Sequence, residues 1–346
     1  MSANNASPLS PKFLHPGNFA LVMASGIIAI GMRRAGFAEL ADVLCIFAVV
    51  AWLTLLALSL WRVACFKNAI WVELCNPRMV FSYFTLVAAT NIIGLLLLGH
   101  GYSTYALFCW LLAFAAWCSL LYLAFSVLTF LSHEHNVNIV HGGWLITIVG
   151  TQSLVILGIQ LTPNLGIYAG YMMVEVHMLW GLGLIFYGIF VTLFCYRIFF
   201  LNLEPEDISP LLWVIMGAAA ISASAGIQLL ETHSPIAILE IQKPFISGVT
   251  MMLWSWATWW LPMLFLFSLW KHVFRKLPLH YEPILWSFVF PLGMYAVASS
   301  QIGELARFAP MQWISHSMIW VAFAAWTMVL LGLLGKLLLK NHENLI

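Results

Sequence analysis

The sequence predicts an all-α membrane protein: ten transmembrane helices, paired as five helical hairpins around a central pore, with the odd-numbered helices inside. Three observations carry this reading. Of 346 residues, 63% are apolar and only 8% are charged, where a soluble domain carries about 25% charged residues. The uncharged runs, such as Tyr105 to Leu131 and Phe245 to Trp270, are long enough for a helix to cross the hydrocarbon, which takes about 20 residues. They are apolar at even and odd positions alike, which excludes the alternation of a membrane β-strand. Small polar residues recur in every second run, which sets an inner wall apart from an outer one.

The ten runs, taken between breakers, are 15–33, 39–64, 78–99, 103–131, 139–160, 165–200, 209–230, 246–272, 284–307 and 312–339. Asn76-Pro77 precedes the third, Thr162-Pro163-Asn164 follows the fifth, and Glu204-Pro205-Glu206-Asp207 precedes the seventh. Pro278 and Pro283 flank the turn before the ninth. Proline lacks the N–H that a helix interior needs, so such clusters belong in connections.

Lysine and arginine concentrate on the cytoplasmic side of membrane proteins. Of the 14 here, Lys12, Arg62, Lys67, Arg78, Arg197, Lys271, Arg275, Lys276, Lys336 and Lys340 fall on the side of the termini. Arg33, Arg34, Lys243 and Arg307 fall on the other. Both termini are therefore expected in the cytoplasm of a cell carrying this protein in its plasma or inner membrane. The expected organisation is a cytoplasmic tail over 1–12, one membrane domain over 13–340 and a tail over 341–346. The polar start lacks the basic region of a cleaved signal peptide, so the first run should remain in the mature chain. A net charge of +1 leaves no footprint for a nucleic-acid partner.

The odd runs carry Ala24-Ser25-Gly26, Thr90-Asn91 with Gly94, Gly150-Thr151-Gln152-Ser153, Gly217 to Gly226 with Ser222 and Ser224, and Ala298-Ser299-Ser300-Gln301. The even runs are mainly Leu, Phe and Trp, and the pair repeats five times at about 60–80 residues. Two readings stand. Small residues let helices approach closely in lipid, and small polar residues can line an axial path. On the second reading Ser25, Gly26, Asn91, Gln152, Ser222, Ser224 and Ser299 line it. Such a lining offers hydroxyls and amides without fixed charge, so binding should be weak.

Groups for covalent or redox chemistry are sparse. Most of the 11 histidines sit near run ends, and His177 and His316, further in, lie on different runs. A di-haem pattern of two histidines on each of two helices is missing, and His133-Glu134-His135 is a loop triplet with little to recommend it as a metal site. The six cysteines show no C-x-x-C spacing, so neither a disulfide framework nor zinc is indicated. No cofactor is expected. Acids within membrane segments are costly and often functional. Glu175 and Glu304 are the candidates for proton coupling. A structural bond or subunit contact competes for Glu175, and an i,i+3 pair with Arg307 competes for Glu304.

The ninth run reads Trp286-Ser-Phe288-Val-Phe290-Pro291-Leu-Gly293-Met-Tyr295, and the first opens Pro16-Gly17-Asn18-Phe19 before Met23-Ala24-Ser25-Gly26. With Leu212-Trp213-Val-Ile-Met216-Gly217-Ala218 and Trp256-Ala-Thr-Trp259-Trp260-Leu-Pro262, the chain over about 13–335 resembles the tellurite-resistance/dicarboxylate transporter family. That family includes bacterial TehA-like channels, plant guard-cell slow anion channels and fungal malate and sulfite transporters. The resemblance implies a homotrimer of separate pores for small inorganic or organic anions, each plugged at mid-membrane by Phe290. Pro291 would kink the helix beside it, and Phe19 joins the lining. The function expected is an anion channel or transporter and no enzyme. The alternative is a proton-linked carrier of malate-like dicarboxylates, sulfite or tellurite, and a membrane haem protein or enzyme is the remote rival.

Overall fold

A computed structural model describes residues 14–131, 140–201 and 204–343. The predicted N-terminal tail with Lys12, the His133-Glu134-His135 triplet and residues 344–346 of the predicted C-terminal tail lie outside the described residues, as does the side chain of Lys340, while residues 341–343 continue the last helix. Ten helices long and apolar enough to cross a membrane are present among the described residues: Pro16–Arg34, Ala38–Cys65, Val80–Gly99, Ser103–Leu131, Gly142–Asn164, Gly166–Phe200, Pro210–Glu231, Lys243–Phe274, Pro283–Ala306 and Ala309–Leu338. They match the ten runs read from the sequence, most edges shifting by a few residues. The eighth span begins earlier than expected because Pro244 sits in the first turn of its helix, where a missing N–H costs nothing.

Burial separates the spans into two sets. In each odd span 72–94% of the apolar window is buried, and in each even span only 17–33%. Each inner span packs on the outer span that follows it, giving five hairpins. The first inner span also packs on the third and the ninth, the third on the fifth, the fifth on the seventh and the seventh on the ninth. The inner spans thus close a ring of five.

All five inner spans open the same way. A 3-10 turn (Pro16–Phe19, Val80–Tyr83, Gly142–Leu145, Pro210–Trp213 or Pro283–Leu285) leads into the α-helix. Proline leads three of them, where its fixed φ suits a first turn. Two of the five turns, the first and the third, are capped by histidines. His15 Nδ1 accepts the Gly17 N–H at 2.9 Å, and His141 Nδ1 accepts the Gly143 N–H at 3.0 Å. Each satisfies a donor that a helix start leaves free.

A second fivefold feature ties the outer wall to the inner one. Trp52 donates its indole N–H to Thr90 Oγ1 (3.2 Å), Trp117 to Thr151 Oγ1 (2.8 Å) and Trp180 to the Ser222 carbonyl (3.1 Å). Trp254 donates to Ser299 Oγ (3.0 Å) and Trp326 to Ser25 Oγ (2.9 Å). Each even span therefore reaches the next odd span, and the tenth reaches back to the first. An indole N–H in hydrocarbon has no water to bond, so a small hydroxyl or an open carbonyl on the facing helix is its natural partner.

Candidate functional site

The ring encloses an axial cavity of about 240 Å³. Its lining follows one rule on every inner span: positions spaced by three or four and then seven, which lie on one face of a helix. They read Ile27, Ile30, Arg34; Ile92, Leu96, Gly99; Ser153, Ile156, Gln160; Ile221, Ser224, Gln228; and Met294, Val297, Gln301. The cavity is thus built in layers. Two layers are largely aliphatic, relieved by Ser153 and Ser224. The outermost layer is polar, and Arg33 and His100 stand beside it.

The ninth span adds one more lining residue a turn deeper, Phe290, which is only 2% exposed. Along its helix Phe290 lies 11 residues before Gln301, about 16 Å at 1.5 Å per residue. One turn before Ile27, Ile92, Ser153 and Ile221 stand Met23, Ala88, Val149 and Gly217, none of them aromatic. Phe290 is the widest side chain at that depth.

Pro291 lies inside the ninth helix, which continues through it from Trp286 to Ala306. Its ring rests on the seventh span: a Cβ added to Gly217 would lie 2.8 Å from Pro291 Cγ and 3.2 Å from its Cα. Gly26 plays a similar part, since a Cβ there would collide with Cγ2 of Ile92.

The residues singled out from the sequence divide accordingly. Phe290 and Ser224 line the cavity, Ser224 donating to Gln301 Oε1 at 2.6 Å. Asn91 stands behind the lining, its Nδ2 donating to Ser153 Oγ at 2.9 Å. Ser25 and Ser299 spend their hydroxyls on tryptophans of the outer wall and on the Leu21 and Tyr295 carbonyls. Ser222 bonds the Ala218 carbonyl, and Gln152 Nε2 donates to the Trp180 carbonyl at 3.3 Å. Phe19 is buried in the first opening turn. Of the two readings of the small residues, close packing describes Ser25, Gly26, Gln152, Ser222 and Ser299. Glu175 is half-buried on the sixth, outer span.

Glu304 differs from expectation. Arg307 takes a left-handed backbone (φ 51°) where the ninth helix ends, so the i,i+3 pair does not form. Glu304 instead accepts from Arg34 of the first span at 2.6 Å and from Ser300 Oγ at 3.0 Å. The pair joins two inner spans at the mouth. Beside it, Arg33 bonds Asp42, and His100 Nε2 lies 3.3 Å from the same carboxylate. Across the ring Gln160 Nε2 donates to Gln228 Oε1 at 3.0 Å.

The mouth residues Arg33, Arg34, Gln160 and Gln228 lie about two turns outside the mid-depth clusters of small residues from which the sequence predicts a lining. For Arg34, Gln160 and Gln228 the signal is a polar residue seven positions after an axial Ile or Ser. Among the described residues no acid lines the cavity, and no group of three or more His, Cys, Asp or Glu could hold a metal ion. What the arrangement offers a solute is two guanidinium groups and three carboxamides at the rim, then an aliphatic throat.

A family model described as voltage-dependent anion channel matches residues 14–334. An uncharacterized membrane protein of Mycobacterium tuberculosis is 38% identical over 142 residues, covering 41% of this chain and 71% of its own length. An uncharacterized transporter of Methanocaldococcus jannaschii is 26% identical over 329 residues, 93% of this chain and 92% of that one. A second uncharacterized transporter of the same archaeon is 26% identical over 208 residues, 60% and 59% of the two chains. With its ten apolar helices in the matched region, this chain is a multi-pass membrane protein that belongs to the voltage-dependent anion channel family.

Proposed function

We propose that this chain passes small anions along the axis of its inner ring, and that Phe290 closes the path. One observation carries the reading: the layered cavity runs from Arg33 and Arg34 at the rim to Phe290 at its floor. At the mouth Arg33 and Arg34 are each paired with an acid, Asp42 and Glu304, so the rim offers an anion guanidinium hydrogen-bond donors rather than a net positive field. Below them an anion meets only Ser and amide dipoles, which bind too weakly to trap it. An aromatic ring across an aliphatic throat excludes a hydrated ion by size and by keeping the throat dry. The chain works in the plasma or inner membrane with both termini in the cytoplasm, as a homotrimer with one path per protomer.

A second reading, proton-linked carriage of a dicarboxylate, sulfite or tellurite, draws on Glu304. Protonating that carboxylate would release Arg34, which lines the cavity, to bind substrate. Glu175, on the outer wall, has no such route to the path. Flux into liposomes separates the two. Chloride, nitrate, sulfite, malate and potassium are each tested with and without an imposed pH gradient. Passive anion flux indifferent to the gradient supports the channel. Uptake that needs the gradient supports the carrier, and potassium flux equal to that of anions would refute both.

A further inference from the structure

A larger cavity, about 450 Å³, lies away from the axis at the end where the inner spans begin. It fills the junction between the fourth and fifth hairpins. There the eighth span packs on the seventh and the tenth on the ninth, while the eighth meets the ninth through side chains, Trp254 on Ser299 and Tyr295 and Thr258 on Tyr295, and their backbones stay apart. Of the five outer spans, the eighth has the slightest backbone contact with the inner span that follows it, although the seventh and ninth spans themselves pack closely. Leu264, Phe265 and Ser268 of the eighth span form one wall, and Met328, Val329 and Gly332 of the tenth form the other. The floor is Phe288, two residues before Phe290 on the same helix.

Two features identify what fits. Phe265, Met328 and Leu279 are exposed at the rim, and the first two belong to outer spans, so the groove opens sideways into hydrocarbon. Its polar end is basic. Lys271, in the last turn of the eighth span, lines it, Arg275 and Lys276 follow just beyond that span, and Lys336 lies over the ring of Tyr281, another lining residue. Against these cations the lining holds one acid, Glu282. Lys271 is held in place by donating to the Ile208 carbonyl at 2.6 Å. An ammonium has three donors, so others remain for a ligand. Basic side chains at headgroup depth attract anionic lipids.

We propose that this groove is a binding site for one anionic phospholipid. Its headgroup sits at Lys271 and an acyl chain lies between Phe265 and Met328 on Phe288. An occupant there presses on the helix that carries Phe290, which gives the membrane a means of regulating the path. Binding itself does not depend on what the path conducts.

The test is lipid retention by the intact protein, purified from bilayers of equal parts phosphatidylglycerol and phosphatidylcholine and weighed by native mass spectrometry. Wild type should retain one phosphatidylglycerol per chain in preference to phosphatidylcholine. Lys271→Gln should lower that retention about fivefold, the worth of one basic group near a lipid surface. Ser268→Phe, which fills the groove and leaves every charge in place, should abolish it. Thermal melting and oligomeric state verify that each variant is folded. Equal retention of the two lipids by wild type overturns the proposal. So does wild-type retention in folded Ser268→Phe, which would mean a diffuse surface effect. Loss of oligomer with lipid retention intact would mark the groove as a subunit contact and overturn it as well.

Discussion

Trp326 on the last span donates its indole N–H to the hydroxyl of Ser25 on the first, at 2.9 Å, and so closes a ring that four similar bonds build. The bond spans almost the whole chain and needs both partners at the same depth. Ser25 in turn donates to the Leu21 carbonyl, which fixes its rotamer.

A double-mutant cycle of Ser25→Ala and Trp326→Phe measures this bond. Polar pairs between membrane helices couple by about 0.6 kcal/mol on average and up to about 1.7. A coupling within that range is expected from thermal unfolding in detergent. Anion flux should be spared, since neither side chain lines the cavity. A coupling of zero would make the contact incidental.

The ring was legible in the sequence where chemistry repeats along the chain. The alternation of small-residue and bulky runs separates inner from outer helices, because lipid accepts Leu, Phe and Trp while close packing demands Gly, Ala and Ser. What sequence alone left open was the direction of each small hydroxyl. Ser25 and Ser299 sit on inner spans, yet both face outward to tryptophans, a matter of helix rotation that composition does not encode. The tryptophans held the clue. Trp52, Trp117, Trp180, Trp254 and Trp326 recur every 63–74 residues, the period of the hairpin itself. The Arg34–Glu304 pair was illegible for another reason: it joins residues 270 positions apart, on two helices that become neighbours only when the ring closes.

Gly217→Ala tests the seat of Pro291. The added methyl would meet both the proline ring and its Cα, and backbone cannot swing aside as a side-chain tip can. Overpacking of this kind costs about 1–3 kcal/mol, and the shift should reach Phe290 and alter flux. Gly248→Ala on the outer wall has nothing within 4 Å of its new methyl. It should be neutral or add up to about 1 kcal/mol through helix propensity. Equal melting temperatures for the two variants would remove the steric argument.

His141 predicts an acid limb of stability. Burial pushes its imidazole down to about 4 from the ordinary 6.5, overcoming its bond to the Arg78 carbonyl. Between those values the unfolded chain binds a proton that the folded chain refuses. Stability is therefore fully retained above pH 6.5 and falls as pH drops toward 4, by about 1–2 kcal/mol for a group that keeps some solvent contact. His141→Asn keeps an acceptor for the Gly143 N–H and should flatten the melting temperature over this interval.

Orientation follows from the clustering of basic residues at the end where the inner spans begin. Lys276 is exposed there, and Lys243, paired with Glu240 at 2.8 Å, lies at the start of the eighth span on the opposite side. Single cysteines at these positions, with the native cysteines replaced, are labelled by an impermeant maleimide from outside intact cells. Labelling is expected at 243 and not at 276, and the reverse would invert the protein in the membrane.

Phe290→Ala decides whether the deepest side chain of the cavity is a gate or a piece of core. A Phe packed on all sides leaves a void when truncated, at a cost of about 3–5 kcal/mol by analogy with soluble cores. Phe290 has the cavity on one side of its ring, so truncation lengthens a space already present. The expected loss of stability is below that range. The path meanwhile loses its widest obstacle at the level of Ala88 and Gly217, and anion flux should rise. Val289→Ala is the control, being fully buried on the same helix and absent from the cavity lining. It should lower the melting temperature without raising flux. A Phe290→Ala protein that melts several kcal/mol earlier and conducts no better than wild type would retire the gate and leave Phe290 as core.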